Sequence, residues 1–265
     1  MPASEGSPCH DLWEVIRALR RCRWTDLTHS FDEHIPHSPM FGSASRKVLY
    51  DHAPGSGSKG YGFLAHEYHL PGQWGTHVDP PAHFPPGKRF LDEIPVTEMI
   101  LPLVVIDIHD QAAKNPDYCV RMDDVRVWES RHGKVPGASF VALRSDWSKC
   151  WPDADRMLNR DASGTMHFPG WSLDVVEYLY RDCGITASGH ETIDTDAGMV
   201  VSAGKAPLEA YILGLDRWQI ELLTNLDQVP EHGALIAVSW PKAFRGSGFP
   251  ARAFAIDAGP KENQT

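Results

Sequence analysis

Residues 73–84 read Gln73-Trp74-Gly75-Thr76-His77-Val78-Asp79-Pro80-Pro81-Ala82-His83-Phe84, and the expectations for the rest of the chain hang on them. In an extended segment successive side chains alternate between faces, so His77 and Asp79 point the same way. Gln73 and His83 share that parity, and a fully extended stretch would set all four along one wall. Pro80, Pro81, Pro85 and Pro86 restrict the backbone on the far side of Asp79. Gly75 allows a bend or the close approach of another segment. A neutral imidazole beside a carboxylate is a common pair for holding a divalent ion, which leaves His83 to move protons. A hydrogen-bonded turn is the competing reading. Spacing alone leaves both open and names no reaction.

Outward from this stretch, apolar periodicity lays out interleaved strands and helices. Leu12, Trp13, Ile16 and Leu19 recur at helical spacing within His10–Arg23. Residues 24–60 read as a strand followed by a long irregular arm rich in Pro, Gly and Ser (Pro36, Pro39, Gly42, Pro54, Gly55, Gly57), the kind of loop that often binds something. Downstream, Leu101–Ile108 and Ser139–Leu143 read as buried strands. Asp123–His132 reads as a helix with an acidic first turn. Ser172–Cys183 reads as a second helix, with Ser172 as N-cap and Gly184 as its stop. Ile185–Ser188, Trp218–Leu223, Ala234–Trp240 and Ala251–Ile256 read as four more strands, and Leu208–Leu215 as a helix. The pattern predicts an α/β fold: a single domain over residues 24–258 with a mixed β-sheet core flanked by helices. A tail and amphipathic helix (1–23) precede it and a short tail (259–265) follows.

The chain's 265 residues, 42% of them hydrophobic, suffice for a sizeable core, and a charged fraction of 23% argues against wholesale disorder. A net charge of -10 lacks the clustered basic footprint of a nucleic-acid binder. The basic run Arg17–Arg23 fits cations placed at a helix C-terminus. Five scattered cysteines (Cys9, Cys22, Cys119, Cys150, Cys183), none spaced C-x-x-C, imply neither a disulfide framework nor a Cys-rich zinc site. No apolar leader opens the chain, and no run approaches the ~18–20 apolar residues of a membrane span. The expectation is a soluble, cytoplasmic protein with a small-molecule substrate and with no nucleic-acid or membrane partner.

The string G-T-H-x-D-x-P-x-H-F, here Gly75–Phe84, resembles the hallmark of the metal-dependent "cyclase" hydrolase family, which includes kynurenine formamidases and isatin hydrolases. Other stretches agree in order. Asp26–Phe31 (DLTHSF) resembles the family's opening strand, and Phe168–Ser172 (FPGWS) the turn before one of its helices. Ile220–Leu226 (IELLTNL) resembles the segment carrying a late Glu ligand, and Gly248–Ile256 (GFPARAFAI) the closing strand. The likeness runs over roughly residues 24–256.

That resemblance implies a swivelling β/β/α-like domain. It also implies metal ligands at His77, Asp79 and Glu221, with His83 as the acid/base. Two positions depart from the family pattern: Gln73 and Glu209 stand where histidines are usual. An amide oxygen and a carboxylate in their place would make a harder, oxygen-richer ligand set, shifting the expected ion to Mn, with Zn or Mg as alternatives. One ion is favoured over two. The reaction implied is hydrolysis of the C–N amide bond of a small cyclic amide (isatin-like) by metal-activated water. The alternatives are an aryl formamidase acting on N-formylkynurenine-like substrates and a non-catalytic ligand-binding or scaffold protein. Thr76 is a candidate to orient ligands, with a turn hydrogen bond as its competing role. Phe41, Phe63, Trp74 and Trp147 are candidates for an apolar slot for a planar ring, against the ordinary role of aromatics in a core. His190, in a turn near the family's site, is a candidate supporting residue. The resemblance further implies a homodimer or homotetramer that exchanges arms.

Overall fold

Two runs of branched apolar residues fold into the middle of a sheet because each must be covered on both faces. In Leu103–Ile106 and Phe140–Leu143 every residue is buried, and alternate side chains enter different cores. Leu103, Val105, Phe140 and Ala142 join Leu27, Leu91, Trp218, Ile220 and Ile236 in one core. Val104, Ile106, Val141 and Leu143 pack with Val125, Trp128, Val175, Leu179 and Ile212 in the other. The second core is supplied largely by helices Met122–His132, Leu173–Glu177 and Pro207–Gly214.

The computed structural model describes residues 11–53, 59–60 and 62–259. The expected tails, His10, Cys9 and the arm residues Pro54, Gly55 and Gly57 lie outside the described residues, apart from Gly259. The strands in chain order are β1 (Arg23–Asp26), β2 (Ser45–Asp51), β3 (Lys59–Gly60), β4 (Ala65–His69), β5 (His77–Asp79) and β6 (Ile100–Asp107), then β7 (Phe140–Arg144), β8 (Ala187–His190), β9 (Trp218–Glu221), β10 (Ala234–Ser239), β11 (Phe249–Pro250) and β12 (Arg252–Asp257). Nine of them form one mixed sheet, ordered β1-β12-β10-β6-β7-β8-β9-β5-β11. Its centre, β6 to β9, is parallel. The flanking pairs are antiparallel. The α/β domain with a mixed sheet between helices is therefore present as expected.

The arm differs from its reading. Instead of an irregular loop, β2 pairs antiparallel with β4 and parallel with β3 in a separate three-stranded sheet. Pro36, Pro39 and Gly42 precede β2 rather than interrupt it. Because β2 is mostly exposed, it shows no apolar alternation from which a strand could be read. The 172–183 helix also differs. Ser172 precedes its first turn, but its hydroxyl lies between the Val120 carbonyl and the Asp174 carboxylate, either of which can take its one proton, instead of capping. The last turn, Tyr178–Cys183, widens to π geometry before Gly184 ends it at φ +71°. The N-terminal helix is shorter than read, Leu12–Leu19, with the Asp11 carboxylate accepting from the Trp13 amide. No helix among the described residues is long and apolar enough to cross a membrane.

Candidate metal centre

The site grows from a strand pair. β5 runs antiparallel to β9 so that His77 lies opposite Glu221, Val78 opposite Ile220, and Asp79 opposite Gln219. Val78 and Ile220 enter the first core, and by the alternation of the pleat the other four side chains share the opposite face. There His77 Nε2 lies 3.4 Å from Asp79 Oδ2 and 3.7 Å from Glu221 Oε2. His77 Nδ1 donates to the Gly75 carbonyl at 2.8 Å. That bond points Nε2 at the carboxylates, which, against the effect of burial, favour a proton there without an ion; an ion would take that proton's place on the Nε2 lone pair. Gly75 reaches its conformation at φ +62°, a region that favours glycine.

The expected extended wall holds only across His77–Asp79. Pro80 and Pro81 start a 3-10 turn, Pro81–His83, and Gly75 bends the chain on the other side, so parity carries neither Gln73 nor His83. The two nevertheless come in by these bends. The Gln73 amide nitrogen lies 3.3 Å from Asp79 Oδ1 and 3.4 Å from His83 Nδ1, and donates to the Ser247 carbonyl at 2.8 Å.

Glu209 arrives from the first turn of helix Pro207–Gly214. The Asp196 carboxylate accepts from the amides of Leu208 and Glu209, at 3.0 and 3.3 Å, and so holds that turn in place. Glu209 Oε1 sits 3.8 Å from His83 Nε2. Gln219, absent from the sequence reading, ties the two glutamates together: its Nε2 donates to Glu209 Oε1 at 3.3 Å and to Glu221 Oε1 at 3.2 Å. Its Oε1 accepts from the Thr195 hydroxyl at 2.8 Å. The only sequence signal for Gln219 was its shared parity with Glu221 in a short strand.

The electrostatics call for a cation. Asp79, Glu209 and Glu221 are buried, and among the described residues their ion-pair partners are His77, His83 and His190, with no Lys or Arg. Burial, then the charges of Asp79, Asp194 and Asp196, pushes Glu209 well above the usual carboxylate range. Burial, then Glu209, Asp79 and Asp194, does the same to Glu221. For Asp79 burial acts upward, but the charge and hydrogen bond of His77 outweigh it and hold the carboxyl at about 2. Apart from His77 Nε2 at 3.4 Å, Asp79 Oδ2 has no partner among the described residues, although buried polar atoms normally have a full hydrogen bond. Two groups of ligand atoms, each within 4.8 Å of one another, meet here and share Asp79: His77–Asp79–Glu221 and Asp79–His83–Glu209. Clustered carboxylates, an imidazole nitrogen aimed at them and a carboxylate oxygen without a full hydrogen bond fit a divalent ion.

His190 stands behind this set. Its ring is buried, Nε2 lies 3.5 Å from Glu221 Oε1, and Nδ1 accepts from the Trp171 indole at 3.4 Å. Burial lowers its pKa to about 3. Thr76 makes no turn bond and is no free donor: its hydroxyl accepts from the His29 amide at 3.0 Å and gives its proton to the distant Leu222 carbonyl at 2.6 Å, tying three segments together. The four aromatics are not gathered into one slot. Trp74 is fully buried, with its indole donating to the Asp32 carbonyl and its ring against His37. Trp147 donates to the Met157 carbonyl and packs beside Met157 and Phe168. Phe63 packs at a tilt against Tyr50 of β2, and Phe41 sits in a turn closed on Ser38. A cavity of about 770 Å³ opens by Gly72 and Trp74, lined also by Phe31, Arg46, Tyr68, Arg245 and Ser247 among others.

Residues 25–197 match the model of the Cyclase family, and the chain belongs to that family. Among individual relatives, it is 36% identical over 188 residues to the isatin hydrolase of Roseibium aggregatum, covering 69% of this chain and 70% of the relative. The fold superposes on isatin hydrolase A from Labrenzia aggregata, solved bound to benzyl benzoate. That match has a TM-score of 0.84 at 30% identity and covers 93% of this chain and 99% of that one. A second isatin hydrolase structure, bound to the product analogue thioisatinate, also superposes with a TM-score of 0.84, at 26% identity over 94% and 99% of the two chains.

Proposed function

We propose that this chain is a metal-dependent hydrolase that opens the C–N amide bond of a small cyclic amide of the isatin class. The observation that carries the reading is the convergence of His77 Nε2, Asp79 Oδ2 and Glu221 on the β5–β9 pair, with the Asp79 oxygen otherwise unpartnered. These three residues would hold the ion. When bound there, a divalent ion supplies Lewis acidity toward the substrate carbonyl and lowers the pKa of water. The oxygen-rich set around it favours Mn, or Mg, over Zn.

The protein's own part is proton traffic and placement. Water adds to the amide carbon, the C–N bond breaks, and the leaving nitrogen takes up a proton. His83 is the acid/base for that exchange: part-exposed where the ligand triad is buried, it holds Nε2 toward Glu209. Gln219 fixes Glu209 and Glu221 relative to one another, which steadies the developing charge distribution. The isatin hydrolase relatives support the ring-opening reading over formamide hydrolysis. The test is turnover of isatin against N-formylkynurenine, followed by absorbance on protein loaded with Mn, Mg or Zn and on chelated protein. Metal-dependent isatin opening is expected; its absence under every loading would overturn the reading.

A further inference from the structure

The Gln73 amide nitrogen has two protons to give and faces three groups: one proton goes to the Ser247 carbonyl at 2.8 Å, and the other points between Asp79 Oδ1 at 3.3 Å and His83 Nδ1 at 3.4 Å. Turning the amide over would set its oxygen against a carbonyl and a carboxylate, so this orientation is the one the surroundings allow. An amide NH2 donates and offers no lone pair, so it cannot ligate a cation here. It also dictates the state of its neighbour. A proton on His83 Nδ1 would face the NH2 donor to donor, so the neutral ring carries its proton on Nε2. That nitrogen is the one beside Glu209 Oε1, at 3.8 Å. Gly248 makes the placement possible, because a Cβ there would collide with the Gln73 amide.

We propose that Gln73 is a positioning residue that holds His83 in its Nε2–H form, so that His83 enters the reaction as the acid and Glu209 as the base. The proposal rests on the hydrolytic reading above. As water oxygen bonds to the amide carbon, a water proton passes to the Glu209 carboxylate. The C–N bond breaks as the His83 Nε2 proton passes to the leaving nitrogen. The Glu209 proton then crosses to His83 Nε2 and restores both groups, while the new carboxylic acid releases its own proton to solvent. Gln219 keeps Glu209 aimed for this exchange.

Nitrogen-15 NMR of the chelated full-length protein, with the His83 signals assigned through H83N, tests the first half without reference to activity. The wild type should show His83 protonated on Nε2 alone, and Gln73→Glu, which presents an acceptor, should move the proton to Nδ1. A wild-type proton on Nδ1 would overturn the proposal even if Gln73→Glu failed to fold. Kinetics with isatin test the second half. Gln73→Met should lower kcat by about tenfold to a hundredfold with KM within about twofold and the ion content unchanged. Glu209→Gln should lower kcat by about 10²–10⁴-fold, again with the ion retained. Loss of the ion in either variant, or normal turnover in Glu209→Gln, would overturn the assignment. A wild type that opens no isatin would sink the hydrolytic reading instead, and the NMR result on Gln73 would still stand.

Discussion

Glu221 lies directly opposite His77 in the β5–β9 pair, with His77 Nε2 3.7 Å from Glu221 Oε2. Backbone register therefore sets the separation of these two candidate ligands. With Asp79 two residues from His77 on the same face, three donors are in place before any side chain rotates. Pre-arranged donors lose little entropy on binding an ion.

That arrangement predicts a stabilising ion. Three buried carboxylates with no Lys or Arg partner among the described residues repel one another when ionised, and a cation would relieve the repulsion. At a free concentration a hundred times Kd, binding adds about 2.7 kcal/mol to stability. Chelated protein should melt several degrees below protein loaded with Mn or Mg. Identical melting curves in differential scanning calorimetry would contradict the site.

His83 is outside the His77–Asp79–Glu221 group. His83→Asn and His83→Ala should lower kcat by about 10²–10⁴-fold while metal analysis finds the same ion content as the wild type. Turnover at the wild-type rate would refute its acid/base role.

Gly248→Ala should behave like a change at Gln73. Its methyl group would land on the Gln73 amide, forcing that side chain off Asp79 and His83. The crowding should cost about 1–3 kcal/mol by urea denaturation. It should also lower kcat together with the Gln73 variants. Unchanged stability and kinetics would mean the amide is not held where the structure puts it.

Glu191 should contribute a pH dependence of its own to stability. It is almost fully buried and accepts from the Ser145 amide and the Ser148 hydroxyl at 2.7 Å each. Burial raises its pKa from 4.5 to about 7. Because the folded-state value is the higher one, the group's stabilising contribution is complete below the unfolded pKa and is lost as pH rises through about 7. The shift corresponds to roughly 3 kcal/mol. Glu191→Gln keeps the shape and removes the titration, so its stability should vary less between pH 4.5 and 8 than the wild type's. Parallel pH profiles in denaturant melts would contradict this.

Much of the fold was legible because the parallel centre consists of continuous apolar runs, Leu103–Ile106 and Phe140–Leu143, with unmistakable burial. The arm sheet was not, since β2 is exposed and carries no apolar alternation. At the site, His77 and Asp79 were readable from parity, and Glu221 and Glu209 from resemblance to a family. Gln219 left only its parity with Glu221, which any residue two before a strand glutamate would share, and Asp196 left no local spacing, because its role comes from a helix end brought up by the fold. Trp74, Trp147, Phe41 and Phe63 shared composition but not location: each is held by its own neighbours.

β5 is three residues long and is hydrogen-bonded to β9 on one side and to β11 on the other. Both partners come from the last part of the chain, so contacts of long sequence separation must form before His77 and Asp79 meet Glu221. A nascent or misfolded chain would display the first two and capture nothing firmly. Under the proposed function, holding the ion would therefore require a sheet already closed against β9 and β11, and ion retention would report that closure.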